Sequence, residues 1–235
     1  MSQDPEQTPC EPDHAPVNPL PSVVVALFLL VIGVEAILAL GARGIVGGPE
    51  AVGWRLDAIQ SYAFSGDIFD WMVANGVWPA EHVLRFFSYP FVHTGFTHAL
   101  FVSVFLLAMG KMVGEVFGGP ATAAVFVASG AGGALVYALL LDDPLPLVGG
   151  FPAVYGLIGA FTWLLWMSLA RIGANQMRAF SLIAVLMGIQ LLFGLFFETG
   201  KDWVADLAGF ATGFGLSFFV SPGGWARLRA RVRRE

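Results

Sequence analysis

Four polar residues stand in otherwise apolar stretches of the chain and carry side chains that could do chemistry. They are His93, His98, Ser129 and Asp206. A serine beside a base can act as a nucleophile, and imidazole and carboxylate groups can move protons or bind a metal ion. His93 and His98 are five residues apart and therefore do not share one face of a helix closely. We expect no metal site, no cofactor and no nucleic-acid partner.

The composition is that of a polytopic membrane protein. Hydrophobic residues make up 57% of the 235 residues and charged residues 12%, and there are 29 glycines. The mean hydropathy is +0.73. Such values exclude a soluble globular core. The single cysteine, Cys10, lies in a polar tail, so no disulfide framework is possible.

Six apolar runs approach the roughly 20 residues that a helix needs to cross a bilayer. They cover residues 23–40, 95–113, 121–141, 151–170, 179–197 and 204–220. Basic residues are retained on the cytoplasmic side of short loops. Here they follow the sixth run and stand at Lys111, Arg171 and Arg178. We therefore predict that both termini are cytoplasmic.

The chain divides into three regions. Residues 1–21 contain six prolines and four acids but no Lys or Arg, which predicts a disordered cytoplasmic tail. Residues 22–221 form the membrane domain, and residues 222–235 form a basic cytoplasmic tail. Aromatic and charged residues alternate over residues 41–91, a composition typical of a loop in the membrane interface.

The fourth apolar run begins Gly-Gly-Phe-Pro-Ala-Val-Tyr-Gly-Leu-Ile-Gly-Ala, from Gly149 to Ala160. This segment resembles the nucleophile helix of rhomboid intramembrane serine proteases, with Tyr155, Gly156 and Gly159 in matching places. The nucleophilic serine of that family corresponds to Phe151 here. The resemblance therefore predicts the helix of a rhomboid without its nucleophile.

Two further segments resemble rhomboid motifs and also lack a functional residue. The segment from Tyr89 to Phe101 keeps the family's two histidines as His93 and His98, and Leu84-Arg85 stands in place of the family's Trp-Arg pair. The asparagine that helps bind the oxyanion is replaced by Val102, one turn beyond His98. The segment Trp203 to Gly209 has Asp206 where the family has its general base.

Glycines at helical spacing accompany the degenerate positions. Gly209 and Gly213 follow Asp206 by three and seven residues, on one helical face. Small residues at such spacing allow two membrane helices to approach closely. We predict that this face of the sixth span packs on Gly156 and Gly159 of the fourth.

The resemblance implies an all-α polytopic membrane protein, a six-transmembrane-helix rhomboid-like bundle with a large interfacial first loop. Serine-protease chemistry needs a nucleophile, a base and oxyanion donors, and Phe151, Asp206 and Val102 supply none of them. The predicted function is therefore a rhomboid-like pseudoprotease that binds transmembrane segments of membrane-protein partners in the lipid bilayer without cleaving them. The short six-span plan is similar to that of bacterial rhomboids and predicts a bacterial inner-membrane protein.

Two other functions fit the same sequence. The first is an active rhomboid protease with displaced catalytic residues, for which Ser129 in Ala-Ser-Gly-Ala is the candidate nucleophile. The second is a structural subunit or assembly factor of a membrane complex. Asp206 also has two interpretations, because a charged acid within a membrane helix costs about 2.5–3.5 kcal/mol on insertion. It either hydrogen-bonds with His93 or His98 across a cavity, or it lies near the helix start and is wetted by the interface.

Overall fold

The computed structural model describes residues 19–196 and 200–221. Most of the predicted N-terminal tail and the whole predicted C-terminal tail lie outside these residues. The described part is all-α apart from one isolated antiparallel bridge between Phe64 and Leu147. It contains nine α-helices: α1 Ser22–Ala42, α2 Trp54–Tyr62, α3 Gly66–Asn75, α4 Ala80–Ser88, α5 Phe96–Phe117, α6 Gly119–Leu140, α7 Phe151–Arg171, α8 Ser181–Phe196 and α9 Trp203–Val220.

The apolar runs of the sequence coincide with six of these helices. Five of the described helices, α1, α5, α6, α7 and α9, are long and apolar enough to cross a membrane. The run predicted over residues 179–197 becomes the 16-residue helix α8, preceded by a 3₁₀ turn at Gln176–Phe180. Because 16 residues fall short of the length that a span usually needs, the count of six spans is not confirmed.

The long stretch between α1 and α5 folds into three short helices rather than remaining a loop. Phe64, Phe69 and Phe86 pack edge to face within it, and with Met72 and Tyr89 they belong to a buried cluster that reaches α6. Phe64 and Leu147 exchange backbone hydrogen bonds of 3.1 and 2.8 Å. This stretch is therefore tied to the segment that leads into α7.

Helix α7 lies at the centre of the bundle and is buried over most of its first half. Glycines bring its backbone against that of α9. A Cβ added to Gly213 would collide with the carbonyl of Gly156, and one added to Gly209 with the carbonyl of Pro152. A Cβ on Gly159 would likewise strike the backbone of Phe210. Close approach of two helices requires such residues because any side chain would hold the backbones apart.

Helix α8 is packed differently from its neighbours. Its first half contributes Ile183 to the buried core and packs Leu182 and Leu186 against it. From Gly188 to Phe196, Gln190 alone among the described side chains is not exposed. The second half of α8 therefore stands away from the bundle, on the side that faces α5.

Candidate functional site

The helices α5, α7 and α9 all begin at the same end of the bundle, and their first turns carry the residues singled out by the sequence. Phe151 is the first residue of α7, His98 lies in the first turn of α5, and Asp206 lies in the first turn of α9. A proline at the second position of α7 suits a helix start, where its missing N–H costs nothing.

The aromatic ring of Phe151 occupies the centre of this region. It stacks on the imidazole of His98, with ring centroids 5.2 Å apart and an interplanar angle of 18°. It also contacts Tyr155, one turn further along α7, edge to face at 6.4 Å. Nδ1 of His98 is 3.1 Å from Oγ1 of Thr94. At this position the side chain offers apolar volume and no nucleophilic atom.

His93 is fully buried just before α5 and supports the start of α7. Its Nε2 accepts a hydrogen bond from the backbone N–H of Gly150, with 3.4 Å between the nitrogens. Its ring lies 5.0 Å from that of His98. Burial, His98 and the charge of Arg55 lower the pKa of His93 to about 4, so the imidazole is neutral at physiological pH.

Val102 lies beneath the same loop. Its side chain is fully buried, and a Cβ added to Gly150 would approach its Cγ1 to 2.8 Å. Gly149, with φ of +92°, adopts a left-handed conformation that favours glycine, and a Cβ there would strike the ring of His98. At this place an asparagine would point its amide toward the first turn of α7, whereas valine provides only packing.

Asp206 forms a polar relay with Gln190 of α8 and Tyr155 of α7. Gln190 Nε2 donates to Asp206 Oδ2 at 2.9 Å, and the Tyr155 hydroxyl donates to Gln190 Oε1 at 3.2 Å. Of the two interpretations of Asp206, the direct hydrogen bond with His93 or His98 is wrong, because Asp206 accepts from the Gln190 amide on α8 and not from an imidazole. Within the described residues, Oδ1 of Asp206 has no hydrogen-bond partner.

Two adjoining cavities open beside these residues. The inner cavity, of about 340 Å³, is lined by Thr97, His98, Phe101, Leu147, Val148, Phe151, Pro152, Gln190, Asp202 and Asp206. The outer cavity, of about 800 Å³, lies between α5 and the second half of α8 and is lined by Phe101, Phe151, Ile189, Gln190, Leu191, Gly194, Gly200, Lys201, Asp202 and Trp203. The two share four lining residues, so the site opens sideways from the first turns of the helices.

Ser129 lies away from both cavities. It is fully buried on α6, and a Cβ added to Gly156 would collide with its side chain. Its Oγ has no hydrogen-bond partner among the described residues. The side chain therefore fills space between α6 and α7 and has no base beside it.

The site contains polar groups but no arrangement typical of a metal centre. Within residues 19–196 and 200–221, no group of three or more His, Cys, Asp or Glu side chains is placed to hold a metal ion. His98, Gln190 and Asp206 can instead donate and accept hydrogen bonds at the wall of the inner cavity.

Two contributors to the site were missed by the sequence reasoning. Gln190 is a lone amide in the fifth apolar run, and this isolation was the signal that could have found it. The second is an ion pair in which Arg55 donates to Glu35 of α1, at 2.9 and 2.7 Å, and to the backbone carbonyl of His93 at 2.7 Å. No motif of the sequence pointed to Glu35 or to Arg55.

Known proteins share this domain. A family model described as the rhomboid domain matches residues 80–223. RHOMBOID-like protein 4 of Arabidopsis thaliana is 30% identical over 148 residues, which is 62% of this chain and 36% of that protein. RHOMBOID-like protein 2 of the same plant is 30% identical over 153 residues, which is 64% of this chain and 47% of that protein. The match thus spans between a third and a half of the length of these relatives. The rhomboid domain covers more than half of this chain, and five of its described helices are long and apolar enough to cross a bilayer. The chain is therefore an integral multi-pass membrane protein of the rhomboid family.

Proposed function

We propose that this chain is a rhomboid pseudoprotease, which binds transmembrane segments of partner membrane proteins and does not cut them. The observation that carries the proposal is the place of Phe151. Its ring lies against His98 where the family's motif has its serine. A phenylalanine there supplies neither the attacking oxygen nor the room for a peptide carbonyl to approach one.

The surroundings of Asp206 support the same conclusion. A general base must lie within hydrogen-bond reach of the nucleophile. Asp206 instead accepts from Gln190, an amide that cannot pass a proton to or from it. In soluble serine proteases the loss of the serine or histidine alone lowers turnover on the order of 10⁶-fold. This chain lacks both, and Val102 in addition removes an oxyanion donor.

The shape of the site supports binding. The outer cavity is bordered by apolar side chains of α5 and α8, among them Phe101 and Ile189. Both are exposed, and the second half of α8 stands apart from the bundle. A single transmembrane helix could therefore contact this lateral opening directly from the lipid, where association depends on packing and interhelical hydrogen bonds.

An active protease that uses Ser129 is less well supported. This serine is enclosed between α6 and α7 and borders neither cavity. Reaching a substrate would require α6 and α7 to separate. A structural subunit remains the second alternative, and it would bind partners through the outer helix faces rather than the lateral opening. The bacterial inner membrane and the cytoplasmic position of both termini remain part of the proposal.

Two measurements test the function. The purified chain is treated with a fluorophosphonate probe and with a transmembrane substrate, beside an active rhomboid as positive control. We expect neither labelling nor cleavage. Labelling of any serine in the chain would refute the pseudoprotease assignment. Ser129→Ala identifies the source of such labelling.

Binding is tested by photocrosslinking in native membranes from benzoylphenylalanine. It is placed at Phe101, which borders both cavities, and at Val185 on α8 as the control. These two side chains are 55% and 57% exposed, so the probes are equally accessible. Crosslinks that map to a transmembrane segment of one partner from Phe101 alone support the proposal. Capture from Val185 alone would favour a structural subunit.

A further inference from the structure

The inner cavity carries an acid whose hydrogen-bonding capacity is only half used. Asp206 is 2% exposed and borders the cavity. Gln190 satisfies its Oδ2, whereas Oδ1 has no partner in the described part of the chain. Buried carboxyl oxygens are normally paired, because an unmatched one costs the full desolvation of the group. This oxygen has almost no accessible surface of its own, so it is an unpaired acceptor enclosed at the cavity wall, and a donor that entered the inner cavity would supply its partner.

A second acid borders both cavities. Asp202 directly precedes α9, so it lies one helical turn before Asp206 on the same side of the helix. The other titratable groups at the two cavities are His98 and Lys201. No ion pair in residues 19–196 or 200–221 joins Lys201 to either acid within 4.0 Å. The lining therefore presents two carboxyl groups and one exposed lysine at its outer edge.

The depth of these acids defines what could meet them. With a rise of 1.5 Å per residue, Asp206 lies only about 6 Å along the helix from Asp202. This is within reach of a lysine or arginine on an adjacent membrane helix, whose long side chain extends toward the interface while its stem stays in lipid. A neutral helix would leave Oδ1 of Asp206 unmatched.

We infer that the cavity recognises a transmembrane segment carrying a lysine or arginine within about one turn of its end, with Asp206 and Asp202 as the groups that receive the cation. The inference rests on the proposed binding function and names the chemistry of the partner. The ammonium or guanidinium group donates to Oδ1 of Asp206, and Asp202 adds a second negative charge at the mouth. The apolar part of the partner helix lies along the outer cavity.

The test uses the full chain in lipid vesicles with a donor dye on Cys10, its single cysteine. Two acceptor-labelled Leu/Ala peptides of 20 residues differ at one position in their terminal turn, which is Lys in one and Gln in the other. Energy transfer gives the apparent dissociation constant of each. We expect the Lys peptide to bind about tenfold more tightly, as is typical of a hydrogen bond to a charged partner.

Two variants decide whether the cavity causes this preference. Asp206→Asn keeps the shape of the side chain and an acceptor for Gln190, and it should abolish most of the tenfold difference. Asp70→Asn removes the same charge from an exposed position on α3, between α1 and α5, and should preserve the difference. Far-ultraviolet circular dichroism checks that both variants fold.

The outcomes separate this inference from the proposed function. Equal binding of the two peptides, or a preference that survives in Asp206→Asn, overturns the inference while the binding function stands. Binding of neither peptide overturns both. A preference lost equally in Asp70→Asn also overturns it, since it would then reflect the overall surface charge.

Discussion

Replacement of Arg55 by alanine should destabilise the protein, because Arg55 is one half of a largely buried ion pair. The two terminal guanidinium nitrogens of Arg55, Nη1 and Nη2, donate to the Glu35 carboxylate, and Nη1 also donates to the carbonyl of His93. Glu35 is 1% exposed and the arginine side chain 20% exposed. The pair thus joins α1, the helix α2 and the segment before α5 in one network.

The magnitude follows from what each variant leaves behind. Removing one partner of a buried ion pair costs about 3–5 kcal/mol, because the other charge stays buried without compensation. Partial exposure of Arg55 screens the pair, so we expect about 3 kcal/mol for Arg55→Ala. Glu35→Gln should cost about 1 kcal/mol, since Arg55 keeps its bond to His93 and can reach water. The double variant should cost less than Arg55→Ala alone.

The assay is reversible unfolding of the four proteins by SDS in mixed micelles, followed by circular dichroism. A double-mutant cycle gives the coupling energy between positions 35 and 55. The reasoning is refuted if Arg55→Ala costs less than about 1 kcal/mol, or if adding Glu35→Gln to it makes the protein still less stable.

Three other changes test separate parts of the structure. Gly213→Ala should lower the free energy of unfolding by about 2 kcal/mol or more, because the new Cβ meets the backbone of Gly156. Gly215→Ala, which has open space around it on the same helix, should leave the stability unchanged. Equal Tm values for the two variants would contradict the described packing of α7 and α9. The pKa of His93 is about 4 in the folded protein and about 6.5 in the unfolded chain. The free energy of unfolding should therefore be highest above pH 6.5 and decrease as the pH falls, by about 2 kcal/mol at pH 5, because acid protonates the unfolded chain first. His93→Gln should flatten this pH profile, and an unchanged slope would assign it to other groups. Tyr155→Phe removes one hydrogen bond of the polar relay and should cost about 1 kcal/mol in the same unfolding assay, an expectation that a gain in stability would overturn.

Much of the fold could be predicted because apolar length and small-residue spacing are local properties of the sequence. The runs at 95–113 and 151–170 became α5 and α7 with starts within one residue of those predicted. Gly209 and Gly213 lie on α9 where they contact α7, since a period of 3.6 places them on one face. The shorter length of α8 was not predicted, because hydropathy does not show at which residue of an apolar run the α-helix begins.

The partners of the polar residues could not be predicted in the same way. Nothing near Asp206 in the sequence indicates that Gln190, on another helix, supplies its hydrogen bond rather than a histidine. The choice between donors depends on how two helices are rotated against each other, and no local period encodes that rotation. The pairing of Arg55 with Glu35 was missed for the same reason, since 20 residues separate them.

The unequal packing of α8 has a consequence for how the molecule comes apart. Helices α6, α7 and α9 meet backbone to backbone, whereas the second half of α8 is attached chiefly through Gln190. Proteins open in cooperative units whose free energies differ. Detachment of this half of α8 therefore requires far less free energy than global unfolding. Amide hydrogen exchange should report two protection classes, with residues 188–196 exchanging orders of magnitude faster than the first half of α7. The second half of α8 is thus expected to be the least stable part of the described bundle.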